Sequence, residues 1–240
     1  MSGLYDNDAY AAAIFDVADD FLARRRVNGP RPRPLGPIRF KVVARAEGGR
    51  PRPLPRPAAM RMTATAGGYH AFFGRVTDAG SGYRLAPGGY RARLEGDFYR
   101  PAEVDFKVFA PLAGHGLDLP VPPDTAQSAI RVDLRPALNY PFPARTTRLY
   151  GAFFYRDDQG QRVTAADTLV EAFDRPGGPP LATATTDAAG SWLLIFPSLP
   201  AAGPLAIRLR FRLPQGGPVF DAPNERIVPF VENNFPPRDF

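Results

Sequence analysis

Cysteine is absent, so neither a disulfide nor a thiolate metal site can hold this chain together. Histidine is nearly absent as well: His70 falls in a stretch patterned as a strand, and His115 in a glycine-rich loop. With no His-x-Glu-x-x-His and no Gly-x-Ser-x-Gly spacing, neither metal-dependent hydrolysis nor a serine nucleophile finds its residues. Asp157, Asp158 and Asp187 lack the alternating oxygen ligands and closing glutamate of a calcium loop, and they suit turns instead. The expectation is a non-enzymatic chain with no cofactor and no metal. Lysine is scarce too, since Lys41 and Lys107 are the only ones among 30 basic residues. No apolar run approaches the ~18 residues that span a bilayer, and the first residues lack a basic-then-apolar leader. A soluble protein is expected, made and kept in the cytoplasm unless released within an assembled particle.

Proline (29) and glycine (23) are abundant and spread through the 240 residues, and 44% of the chain is hydrophobic. That combination favours many short strands joined by turns, with cores large enough to fold. Helix is expected only near the N-terminus. There Asp6, Asn7 and Asp8 offer caps to a helix running to about Arg26, with Tyr10, Ile14, Val17 and Phe21 at spacings of four, three and four. Asn28-Gly29-Pro30 stops it, and Arg31-Pro32-Arg33-Pro34 reads as a stiff extended arm. Residues 1–35 thus read as a docking helix and tether, or as a helix folded back on its own domain.

The stretch Ala182–Phe196 carries the clearest local signal. A small, β-branched run meets the turn Asp187-Ala188-Ala189-Gly190, and Ser191-Trp192-Leu193-Leu194-Ile195-Phe196 leaves it, which predicts a hairpin with Trp192 as a core anchor. Thr77-Asp78-Ala79-Gly80-Ser81 resembles Thr186–Ser191 at a distance of 109 residues, one β-sandwich domain apart. Each is followed by a strand alternating arginine with apolar residues. Ile38, Phe40, Val42 and Ala44 alternate as a first strand, whereas 47–57 carries too many prolines for a strand interior. The predicted domains are 36–115 and 144–230, joined by a proline-rich linker at 116–143 and followed by an exposed tail at 231–240.

The second copy, from Leu149-Tyr150-Gly151 through Ala182–Phe196 to Pro204–Phe211, resembles the carboxypeptidase regulatory-like, or transthyretin-like, β-sandwich family. The first copy matches it in part, at Thr77-Asp78 and Leu85–Leu94. The resemblance implies an all-β fold of two tandem Ig-like antiparallel sandwiches, non-catalytic modules that stiffen, space, or bind carbohydrate and protein partners.

Arg91 and Arg93, and Arg208, Arg210 and Arg212, alternate along strands and so share a sheet face in each domain, where they could meet acidic protein surfaces or stay solvated. Aromatics are not interleaved on those faces, which argues against nucleic acid. Phe235 and Phe240 give the tail two apolar contacts. The expected function is a structural or adaptor subunit of a multiprotein assembly, in contact with other subunits or with copies of itself. A phage-tail-like contractile injection particle suits an intracellular, cysteine-free chain with sticky ends. A stand-alone carbohydrate- or protein-binding module is the competing reading.

Overall fold

The computed structural model describes residues 11–25, 29–65, 67–78, 81–108, 129–196, 199, 203–236 and 238–240. It is rich in β-strands and divides into two units, Met1–Tyr140 and Pro141–Phe240.

In the first unit the elements are β1 (Ala13–Asp19), α1 (Asp20–Arg25), β2 (Ile38–Glu47), β3 (Arg50–Ala64), β4 (His70–Asp78), β5 (Ser81–Arg84), β6 (Gly88–Gly96), β7 (Ala102–Val108) and β8 (Ile130–Leu134). They form one sheet in the order β7-β6-β2-β3-β4-β1-β8, with β5 paired to β4. The sheet rolls over on itself. Phe106 of β7 lies 5.8 Å from Phe15 of β1 and 5.9 Å from Phe72 of β4, although those strands are distant in the sheet order. One rim is closed by backbone bonds, from Arg100 N–H to Arg135 O at 2.9 Å and from Ala137 N–H to Phe98 O at 2.9 Å. Phe15, Phe40, Phe72, Leu94 and Leu134 fill the interior.

The predicted N-terminal helix is largely a strand. Ala13, Phe15 and Val17 are buried at a spacing of two, and Ile14 is half-buried on the alternate face. The apolar residues of this segment satisfy both the helical and the strand period, and pairing on both sides decides between them. β1 lies antiparallel to β4 and parallel to β8, with Ala13 opposite Phe72 and Phe15 opposite Ile130. Among the described residues of this segment, only Asp20–Arg25 is helical. Its Phe21 is buried against Tyr140 of the same unit, with ring centroids 5.5 Å apart. Tyr10 and the expected caps lie outside the described residues.

Asp19, fully buried, joins these parts. One carboxylate oxygen caps α1 by accepting from Leu22 N–H at 2.8 Å, and the other accepts from the hydroxyls of Tyr99 and Tyr140 at 2.7 Å each. Burial and the bond to Asp19 push both phenols well above the ordinary tyrosine pKa, so they remain donors. Tyr99 oxygen also accepts Leu35 N–H at 2.7 Å, and Asp19 N–H reaches Pro32 O at 3.0 Å. Arg31 bonds Asp16 at 2.5 Å and pairs with Asp133, strapping β1 to β8. The arginine-proline arm is therefore packed on its own unit and does not act as a free tether.

Two further boundaries differ from the expectation. Residues 130–140, placed in the linker, supply β8 and Tyr140 to the first unit. The proline-rich stretch belongs to β3, where Ala44 pairs with Pro53 and Ala46 with Pro51. Alternate residues of a strand aim their N–H groups the same way, so Pro51 and Pro53 leave their missing donors on one edge. Between Pro53 and Ala58 the register shifts, and 54–57 bulge out opposite Val43.

The second unit contains β9 (Thr147–Arg156), β10 (Arg162–Thr164), β11 (Leu169–Phe173), β12 (Ala182–Thr185), β13 (Ser191–Phe196), β14 (Leu205–Arg212), β15 (Val219–Ile227), β16 (Glu232–Asn234) and β17 (Arg238–Asp239). One sheet gathers β10, β13, β16 and β17 around β9, and the other runs β12-β11-β14-β15. They face each other across the core, where Phe153 of β9 stacks on Phe211 of β14 at 4.6 Å. Trp192 is fully buried in that core.

The Asp187 turn is a crossing, not a hairpin: β12 pairs with β11, whereas β13 pairs with β9. Asp187 Oδ1 accepts from Ala189 N–H and Ser191 N–H at 2.9 Å each, and Gly190 takes φ 75° where a Cβ would lie 2.5 Å from Phe153 O. The same turn recurs at Asp157, whose Oδ1 accepts from Gln159 N–H at 3.0 Å and Gln161 N–H at 2.8 Å. By contrast, Asp78 pairs with Ser81 to close the β4–β5 hairpin within one sheet. The two similar stretches thus have different topological roles.

Nor is the C-terminus an exposed tail. β16 and β17 run parallel to β9, with Glu232 opposite Arg148 and Arg238 opposite Phe153. Phe235 N–H donates to Tyr150 O at 2.8 Å, and its ring is 2% exposed beside Trp192 at 5.5 Å. Phe240 packs against Phe211 at 5.3 Å. Gly151 makes this possible, since a Cβ there would lie 2.9 Å from the Trp192 ring and 3.0 Å from Phe235 Cβ.

Two outcomes follow for urea unfolding. Asp19→Ala removes a cap and leaves buried hydroxyls short of a partner, and should destabilise the first unit by about 2–4 kcal/mol. Gly151→Ala should cost the second unit about 1–3 kcal/mol by overpacking. Unchanged midpoints would contradict either assignment.

Candidate interaction surface

The cross-strand register that builds the sheets also sets the partners of their arginines. Arg91 of β6 lies opposite Asp105 of β7 and grips it through two bonds of 2.7 and 3.1 Å. Arg93 Nε sits 3.1 Å from Glu95, which also accepts Lys41 Nζ at 2.7 Å, and Arg39 pairs with Asp97 at 3.0 Å. The Arg93 contact is an ion pair without hydrogen-bond alignment. On the second unit Arg208 reaches Asp221 at 3.2 and 2.6 Å, and Arg210 shares that carboxylate at 3.2 Å. Arg212 Nε lies 2.8 Å from Glu171. The five arginines expected to meet a partner are thus committed to acids of their own sheets, Arg91 and Arg93 in one unit and Arg208, Arg210 and Arg212 in the other.

The other expected contacts within the described residues are also used internally. Val17, Phe21 and Phe235 are buried, Phe240 packs on the core of its unit, and Ile14 lies within β1 between two strands.

Other cations have no such neutralisation. Among the described residues, Arg50, Arg56 and Arg61 of β3 are exposed and meet no acidic side chain. Arg52 beside them pairs with Glu47 at 2.9 Å. The β2–β3 turn is Gly48-Gly49, both with positive φ at 58° and 79°, the geometry of a tight two-residue hairpin loop. At its base lies a hollow of about 240 Å³, lined by Ala46, Pro51, Tyr90, Arg91, Asp105 and Phe106 among others. The Tyr90 and Phe106 rings, 5.7 Å apart, supply an apolar floor. Arg45 lies 5.9 Å over Tyr90, and exposed Lys107 stands at the rim.

This surface includes residues 47–57, whose prolines lead to the expectation of a loop. The signal was present as arginine and proline alternating at a period of two.

His70 packs 5.1 Å from the Phe40 ring, and burial, with Arg33 nearby, lowers its pKa. Among the described residues no three histidine or carboxylate side chains converge as metal ligands, and no helix is long and apolar enough to cross a membrane. Compared with known proteins, the sequence matches no family model and no curated protein.

The ion-pair ladders imply an acid dependence of stability. Hydrogen bonds from Arg91 and Lys41 hold Asp105 and Glu95 below their ordinary values. Partial burial would raise Asp221, but the bonds from Arg208 and Arg210 outweigh it. Folded pKa values below the unfolded ones stabilise above the ordinary 3.8–4.5 range, and that contribution disappears as pH falls through the folded values. Each exposed pair contributes about 0–1 kcal/mol. The thermal midpoint should therefore fall between about pH 5 and about pH 2, and fall less in Asp105→Asn/Asp221→Asn. Equal falls in wild type and variant would contradict a role for these pairs.

Proposed function

We propose that this chain is a non-enzymatic structural or adaptor subunit of a multiprotein assembly, and that its β2–β3 hairpin meets an acidic surface of another protein subunit. The observation that carries this reading is the division of the arginines. Arg91, Arg208, Arg210 and Arg212 are neutralised by acids on neighbouring strands and Arg93 by Glu95 of its own strand, whereas Arg50, Arg56 and Arg61, gathered on β3, have no acidic partner among the described residues. Unneutralised arginines on a defined strand are suited to charge-assisted bonds with carboxylates. The neighbouring hollow adds an apolar floor for one bulky side chain. Prolines on the free edge of the hairpin disfavour strand addition, so contact is through side chains.

The facing sheets of the second unit support the reading of a rigid, Ig-like or transthyretin-like spacer. A particle of the phage-tail-like, contractile kind, assembled in the cytoplasm, is the setting proposed for such a subunit.

The direct test is the size of the native complex in cells that make the protein. Wild type should migrate in a large species from which Arg50→Ser/Arg56→Ser/Arg61→Ser is lost, with wild-type retention falling as salt rises. A free monomer for wild type at low salt would refute the assembly reading. Full retention of the variant would refute the hairpin as its contact.

A further inference from the structure

The C-terminal strand is joined to the second unit by a hinge under opposing influences. Residues 228–231 link β15 to β16, and Phe230 holds φ 66°. That left-handed conformation is unfavourable for a bulky aromatic residue and persists only where its surroundings enforce it. Two side chains enforce it here. Asn233 Oδ1 accepts Val228 N–H at 2.7 Å, while its Nδ2 donates to Val228 O at 3.0 Å, Val231 O at 3.2 Å and Arg148 O at 3.1 Å. Thr147 Oγ1 accepts Phe230 N–H at 2.7 Å. The same hinge leaves Val228, Phe230 and Val231 exposed at 45%, 44% and 46%. Three apolar side chains in four residues thus stand exposed on a strained turn.

Beyond the hinge, the strand is a separable part. Its ladder partner among the described strands is β9 alone, and it is held there by the Phe235 slot over Gly151, the Phe240 packing, the Glu232–Arg148 ion pair at 2.6 Å and the Asn233 bond to Arg148 O. None of these contacts depends on which copy supplies the strand.

We propose that the C-terminal strand is exchanged between two copies of this chain, each donating residues 232–240 to β9 of the other. Exchange keeps the β9 pairing and the Phe235 slot unchanged. It lets the hinge extend, which releases the left-handed Phe230. The two extended hinges then lie side by side across a two-fold axis and cover one another's Val228, Phe230 and Val231. A short hinge loop under strain is the known invitation to such swapping. In this account Asn233 is the latch of the closed form and Phe230 the source of strain. The proposal extends the assembly reading to contacts between identical copies, and it is tested on the purified chain without any other subunit.

The natural absence of cysteine makes the test clean. Tyr150 and Asn234 are register partners across β9 and β16. Tyr150→Cys and Asn234→Cys chains, one lengthened by a tag, are unfolded together, refolded as a mixture and mildly oxidised. Exchange should give a disulfide dimer with the mass of one tagged and one untagged chain, in excess over either like-with-like dimer. The double variant in a single chain shows whether this pair closes. Sedimentation of chains without cysteine gives a second readout that needs no disulfide. Asn233→Ala should raise the dimer fraction several-fold, and Phe230→Gly, which tolerates the left-handed turn, should lower it several-fold. Absence of the mixed dimer while the double variant closes would overturn the proposal. So would equal dimer fractions in Asn233→Ala and Phe230→Gly, and neither result would bear on docking through the hairpin.

Discussion

Three parallel strand pairings, one in the first unit and two in the second, complete a fold that is otherwise antiparallel among its described strands. β1 lies along β8 in the first unit, and β16 and β17 lie along β9 in the second. A buried terminal segment must find partners for every backbone N–H and C=O, and a neighbouring strand supplies them all at once. Each pairing then fixes what surrounds it. Asp19 at the end of β1 gathers Leu22, Tyr99 and Tyr140, and Arg31 spans Asp16 and Asp133 on the paired strands. Phe235 beyond β16 enters the space that Gly151 leaves open. Segments that look like free ends in sequence are therefore parts of the core.

The same register governs the charge pattern. A residue opposite another in an antiparallel ladder is within reach of its side chain, so Arg91 meets Asp105, and Arg210 meets Asp221. A basic chain can in this way present sheet faces that are locally balanced. What remains unbalanced on β3 is a small, defined set of guanidiniums on a proline-edged strand, and that selectivity ties the docking proposal to particular side chains more closely than to net charge.

Local features were legible in the sequence, and non-local ones were not. The all-β class, the alternation of Phe40, Val42 and Ala44, and the buried Trp192 follow from period and turn chemistry within a few residues. The Asp187 turn was visible for the same reason, since Asp and Gly build it alone, but which sheets it joins depends on β9 and β11, far along the chain. β1 was misassigned because Ile14, Val17 and Phe21 fit a helical spacing while Ala13, Phe15 and Val17 fit a strand. Only β4 and β8 decide between them. The arginine faces are legible, but most of the acids that neutralise them, Asp105, Glu171 and Asp221, lie on other strands, and only Glu95 beside Arg93 lies on the same one. The tail looked exposed because nothing near Phe235 in sequence announces the opening at Gly151.

Amide hydrogen exchange on the intact chain tests the central claim most directly, that both terminal segments are integral strands. The account requires β1 and the amide of Phe235 to exchange slowly, at least about 100-fold below unprotected rates, as the interior strands β2 and β9 do. Complete exchange of Ala13–Asp19 and Phe235 at unprotected rates, with β2 and β9 still protected, would contradict it.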